Sequence, residues 1–103
     1  MQLDIQHKPN IIVASFCGEL DENSAIDTRK KLDMAIELTS VQNFVFDFEG
    51  LNFMDSTGIG VLLGRYKKLK AKNMCIYISN PNSHIDKILN MAGIYTIMQK
   101  IAK

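Results

Sequence analysis

Three short runs of apolar, β-favouring residues, Ile11 to Cys17, Phe44 to Phe48 and Met74 to Ile78, are separated by stretches of helical periodicity. This alternation limits the fold more than any other feature of the chain. Neighbouring parallel strands need a long crossover, usually a helix, so strands that take turns with helices imply a mostly parallel sheet. From Asn23 or Ser24, either one a good N-cap, Ala25, Thr28, Leu32, Ala35 or Ile36 and Thr39 recur at helical spacing. Arg29, Lys30, Asp33 and Glu37 take the opposite face, which predicts a first helix ending near Thr39. A second helix is expected from about Gly58 to Lys72, with Ile59, Leu62, Leu63, Tyr66 and Leu69 along one stripe. Asn80-Pro81-Asn82-Ser83 caps a third, His84 to Ala92, which Gly93 ends. Ahead of these, Leu3-Asp4-Ile5-Gln6 alternates with period two and stops at Lys8-Pro9-Asn10, so it forms a hairpin with the next strand. A turn is expected at Glu49-Gly50, and Ile94 to Ile101 is left as a closing turn and a weak last strand. The expected fold class is therefore α/β: a mixed, mostly parallel β-sheet opened by a β-hairpin, with three to four helices packed on it. No repeat or linker divides the chain, so residues 1–103 read as a single domain.

A chain of 103 residues and 11.6 kDa can bury about two-thirds of its surface without a metal or disulfide staple. Cys17 and Cys75, each inside an apolar strand-like run, accordingly read as small core hydrophobes. His7 and His84 stand alone beside turn-forming residues, so neither a metal nor another cofactor is expected. Twelve Lys and Arg against eleven Asp and Glu give no global field, which points away from direct contact with nucleic acid or an anionic membrane. No apolar run approaches the ~20 residues of a membrane span, and Met1-Gln2-Leu3-Asp4-Ile5 lacks the basic start and apolar stretch of a secretory signal. A cytoplasmic monomer is expected.

In open sheets of this kind, sites collect at the carboxyl ends of strands, where loops feed helix N-termini. That directs attention to Met54-Asp55-Ser56-Thr57-Gly58. The loop places a carboxylate and two hydroxyls at the start of a helix, where unpaired N–H groups and the positive dipole end favour an anion. Two readings stay open: Ser56 or Thr57 caps the helix, or the loop accepts a phosphate. Gly58, Gly60 and Gly64 are the odd feature, since each glycine inside a helix costs ~1 kcal/mol relative to Ala. Either Gly60 and Gly64 pack closely on the sheet, or a first turn stripped of bulk lets another protein's active site reach Ser56. Asp21 lies at the carboxyl end of the second strand and is expected near Ser56, touching a partner. Arg65, Lys67, Lys68, Lys70 and Lys72 read as a solvated face complementing the helix C-terminal dipole, with an acidic partner surface as the functional alternative.

The segment Phe53-Met54-Asp55-Ser56-Thr57-Gly58-Ile59-Gly60-Val61-Leu62-Leu63-Gly64-Arg65-Tyr66-Lys67 resembles the signature of STAS domains of the anti-sigma factor antagonist type, the sporulation stage II kind in particular. Gly18-Glu19-Leu20-Asp21, the Phe44 to Phe48 strand and Ile88-Leu89-Asn90-Met91-Ala92-Gly93-Ile94 extend the resemblance over nearly the whole chain. The resemblance implies a regulatory switch rather than an enzyme. Such antagonists bind an anti-sigma factor that is also a serine kinase and so free a sigma factor; the kinase phosphorylates the antagonist, and a PP2C-type serine phosphatase reverses this. Carried onto this chain, the phosphorylated residue is Ser56, with Thr57 as a neighbouring alternative. The implied partner-binding set is Asp21, Asp55, Ser56, Thr57, Gly58 and Gly60. A phosphate adds about −1.5 to −2 charge beside Asp55, and free helix N–H groups are expected to hold it. The same fold could instead serve as a scaffold in a stress-signalling complex or as a regulatory module of a transporter. An aspartic-protease reading of Asp55-Ser56-Thr57-Gly58 fails on the inserted hydroxyl residue and the helical sequel. A serine-hydrolase reading lacks the Gly-x-Ser-x-Gly elbow, and a receiver reading of Asp47 fails because a hairpin comes first.

Overall fold

The alternation of Leu3 to Gln6, the turn at Lys8-Pro9-Asn10 and the apolar run after it produce the hairpin: β1 (Gln2–Lys8) pairs antiparallel with β2 (Ile11–Leu20) in the computed structural model, which describes residues 1–101. There follow α1 (Glu22–Glu37), β3 (Asn43–Met54), α2 (Ser56–Ala71), β4 (Cys75–Ser79), α3 (Ser83–Met91), a 3₁₀ turn (Ile94–Thr96) and β5 (Gln99–Ile101). The described residues form one five-stranded sheet in the order β1-β2-β3-β4-β5, parallel from β2 to β5. This is the expected fold class, with three α-helices. Right-handed crossovers that all step the same way along a sheet put their helices on one face, so α1, α2 and α3 cover one side and leave the other without a helical layer.

The one-sided sheet decides which strand residues are buried. Ile12, Ala14 and Phe16 in β2, Phe44, Phe46 and Phe48 in β3 and Ile78 in β4 are fully buried under the helices. Phe16 and Phe48 meet edge to face at 5.1 Å between ring centroids, and Phe44 and Phe46 are tilted at 5.0 Å, geometries that add to the area term. Cys17 and Cys75 have the opposite parity and are exposed, so the expectation that they fill the core is overturned. An apolar run alone does not say which of its alternate residues meets the helices.

β3 is longer than expected. It continues through Glu49-Gly50 to Met54 instead of turning there. Between the Ser15–Asp47 and Leu20–Met54 pairs, β2 advances five residues and β3 seven, with irregularities between Ser15 and Cys17 and between Gly18 and Glu19. The two extra residues are bulges, which change the phase of burial: after Phe48 the next buried residues are Leu51 and Met54. Asp47 marks the first bulge and ties neighbouring elements together, accepting hydrogen bonds from the Ser79 hydroxyl (3.2 Å), the Asn80 amide (3.0 Å) and the Glu49 N–H (3.3 Å).

Helix registers also differ from those expected. α1 buries Ala25, Thr28, Leu32, Ala35 and Ile36 as anticipated, but it starts at Glu22 under an Asp21 cap and ends at Glu37. α2 starts two residues early, and its inward stripe is Gly58, Val61, Leu62, Arg65 and Leu69, while Leu63 is exposed. Arg65 is therefore not part of a solvated basic face. It lies between α1 and α2, 2.9 Å from the Asp33 carboxylate, which Lys68 approaches at 3.1 Å. Burial lowers the pKa of its guanidinium and the Asp33 charge opposes that effect. Lys72 is spoken for as well, donating to the Ile36, Glu37 and Thr39 carbonyls at the end of α1. At the far edge, Asn82 caps α3 and Gly93, at φ +75°, ends it. Asp86 holds the closing segment by accepting from Lys100 (2.8 Å) and the Tyr95 hydroxyl (2.6 Å). These bonds lower the carboxyl's pKa, that from Lys100 most. No helix among the described residues is long and apolar enough to cross a membrane.

Candidate functional site

Leu20 and Met54 are paired across β2 and β3, and the residue after each is an aspartate that opens a helix. The two caps consequently lie side by side at the carboxyl edge of the sheet, where α1 and α2 begin. Asp21 Oδ1 accepts from the Asn23 and Ser24 N–H groups (2.9 and 3.2 Å), and the Ser24 hydroxyl accepts from the Asp21 N–H (3.1 Å), a reciprocal capping box. Asp55 Oδ1 accepts from the Thr57 and Gly58 N–H groups at 2.9 and 3.4 Å. The cap of α2 is thus the aspartate, not Ser56 or Thr57. Sequence reading missed both caps, although Asp ranks with Ser and Asn at this position and stands one residue before both α1 and α2.

With the cap supplied by Asp55, Ser56 becomes the first residue of α2 and is exposed, and no hydrogen bond among the described residues holds its hydroxyl. Thr57 is half-buried. The three glycines separate into two kinds. Gly58 is buried where a Cβ would lie 2.5 Å from Met54 Cγ and 3.1 Å from Leu20 Cγ, so it lets α2 seat on the ends of β2 and β3. A Cβ on Gly60 or Gly64 would meet nothing within 4 Å, so neither packs on the sheet. At Gly60, the fourth residue after Ser56, the surface is bare helix. The structure therefore gathers Asp21, Asp55, Ser56, Thr57, Gly58 and Gly60 at one edge, with Gly58 in a packing position.

The expected phosphate cradle differs too. Thr57 and Gly58 N–H already serve Asp55, and Ile59 N–H bonds the Asp55 carbonyl at 3.2 Å. An anion on Ser56 would find the first turn's donors largely taken and a carboxylate alongside. Among the described residues no group of three or more His, Cys, Asp or Glu could hold a metal ion. Beside the loop, Phe53 stacks on His84, the second residue of α3, with ring centroids 6.1 Å apart and an interplanar angle of 25°. Sequence reading overlooked this pair, because residues so far apart in the chain carry no local signal of their contact.

Residues 2–103 match the STAS domain. An anti-sigma F factor antagonist of Paenibacillus polymyxa is 32% identical over 98 residues, covering 95% of this chain and 84% of the relative. Among solved structures, the anti-sigma factor antagonist SpoIIAA in its unphosphorylated form is 29% identical, covers 97% of this chain and 88% of its own, and superposes with a TM-score of 0.83. The phosphorylated form of the Bacillus cell fate determinant SpoIIAA is also 29% identical, covers 97% and 91%, and gives a TM-score of 0.75.

Proposed function

The chain belongs to the STAS domain family, and from that footing we propose that it is an anti-sigma factor antagonist, a switch rather than an enzyme. In its unphosphorylated form it binds an anti-sigma factor that is also a serine kinase, and this frees a sigma factor for transcription. Phosphorylation of Ser56 turns it off and a PP2C-type phosphatase turns it on again. One observation carries the reading: Asp55, not Ser56, caps α2, so the Ser56 hydroxyl is exposed and uncommitted at the head of the helix. Thr57, half-buried behind it, is the poorer acceptor. Asp21, Asp55, Thr57 and Gly60 belong to the contact surface, and Gly58 shapes it by letting α2 sit low on the sheet. A phosphate adds about −1.5 to −2 charge next to Asp55. Because that carboxylate already holds the nearby N–H groups, the new charge faces the partner unneutralised, and a surface shaped for a neutral hydroxyl releases it. The likeness to anti-sigma factor antagonists, among them SpoIIAA solved in both phosphorylation states, supports this reading.

The test uses the anti-sigma F factor that the Paenibacillus polymyxa relative antagonises. With ATP, intact-mass spectrometry should find one added phosphate, mapped to Ser56. Ser56→Ala should bind and resist labelling, whereas Ser56→Asp should stay folded and lose at least ~10-fold in affinity by calorimetry. Full labelling of Ser56→Ala would move the acceptor to Thr57 or elsewhere. Normal affinity of Ser56→Asp would end the charge-switch mechanism.

A further inference from the structure

Of the chain's phenylalanines, Phe16, Phe44, Phe46 and Phe48 are fully buried, whereas Phe53 is 37% exposed. Its exposure is dictated by the backbone. The second bulge, between the Gly18–Leu51 and Glu19–Phe53 pairs, inserts Asn52 and makes Met54 rather than Phe53 the inward residue. The ring therefore lies on the outer surface, where it stacks on the exposed His84. The stack is held from below. Asn82, the cap of α3, donates to the Leu51 carbonyl at 3.2 Å, and Asn80 donates to Asp47 at 3.0 Å, so the β4–α3 loop is clipped to β3. A planar, rigidly mounted aromatic at the surface has the character of an interface anchor.

We propose that the Phe53–His84 platform is a contact for the anti-sigma factor, which lays an apolar or planar side chain across it. This rests on the reading of Ser56 as the residue that the partner's kinase active site reaches. Continuity with that site identifies the occupant. Phe53 precedes Ser56 by three residues, so their Cα atoms are at most about 11 Å apart. A footprint of ordinary size, about 800 Å² per partner, extends roughly 16 Å from its centre, so one centred on Ser56 reaches the platform. The proposal adds α3 to a surface otherwise built from the first turns of α1 and α2, and gives the partner a ring contact that phosphorylation does not alter.

Calorimetric titration with the Paenibacillus polymyxa anti-sigma F factor decides the matter. Phe53→Ala and His84→Ala should each raise Kd at least 5-fold, and His84→Phe, which keeps a ring on Phe53, should restore affinity to within 2-fold of the parent. Met34→Ala, at an exposed apolar position on α1, should leave Kd unchanged. Circular dichroism checks the fold of each variant; should Phe53→Ala unfold, the two His84 variants decide. Kd within 2-fold of the parent for His84→Ala, or an equal loss in Met34→Ala, overturns the platform while leaving the switch standing. Absence of binding by the parent chain overturns the switch, and the platform with it.

Discussion

Gly58 and Gly60 stand two residues apart in α2 and answer opposite requirements. At Gly58 a methyl would press on Met54 and Leu20, both buried and unable to retreat, so Gly58→Ala should cost about 1–3 kcal/mol through overpacking. At Gly60 a methyl meets open space, so Gly60→Ala should stabilise the free chain by about 0.5–1 kcal/mol through helix propensity. Thermal denaturation of the two variants checks both signs; equal effects would mean that the seating of α2 on the strand ends is misplaced. The glycines were visible in the sequence as anomalies, and their spacing suggested packing for Gly60 and Gly64. The packing role belongs to Gly58, because the inward stripe is Gly58, Val61, Leu62, Arg65 and Leu69, and Gly60 stands about 200° round the helix from Gly58 at 3.6 residues per turn.

At the scale of elements, α1 and α2 are joined by a charge arrangement that composition conceals. Arg65 is buried, its contact with Asp33 is coulombic rather than a directed hydrogen bond, and its Nη1 has no acceptor among the described residues. Asp33 is the less buried partner and also has Lys68. Removing the carboxylate strands a guanidinium between helices, whereas removing the guanidinium leaves Asp33 with a second cation. Asp33→Ala should therefore cost about 2–4 kcal/mol, and Arg65→Met less than about 1 kcal/mol, since an apolar chain of similar length fills the same space without the desolvation penalty. Urea denaturation of the two variants measures both; a larger loss in Arg65→Met would show that the ion pair itself stabilises the helix contact. Asp33 and the basic run were plain in the sequence, but a run of cations looks alike whether it faces water or a neighbouring helix.

For the whole molecule, a sheet clothed on one face has a measurable consequence at its thiols. Cys17 and Cys75 point away from the helical layer and are exposed, so both should react with an aromatic disulfide reagent in the native protein at rates near those of the denatured chain. Replacing both by Ser should change stability by no more than about 0.5 kcal/mol each. Two slow thiols that react only on unfolding would place them in the core after all.

The alternation of strands with helices was sufficient to determine the α/β class, the opening hairpin and the parallel sheet, because chain reversal and crossover length are local matters that apolar periodicity records. The loop from Met54 to Gly58 was legible for the same reason, since sites in such sheets gather where strands give way to helices. Which side of each strand faces the core was decided only in three dimensions. Crossovers of the same hand placed every helix on one face, so Cys17 and Cys75, at the opposite strand parity, came out, and the second of the two bulges in β3 left Phe53 beside His84. The pairing of Leu20 with Met54 likewise set Asp21 next to Asp55. Residues thirty or more positions apart in the chain become neighbours through strand register, and register depends on the simultaneous fit of all the strands and helices rather than on any one segment.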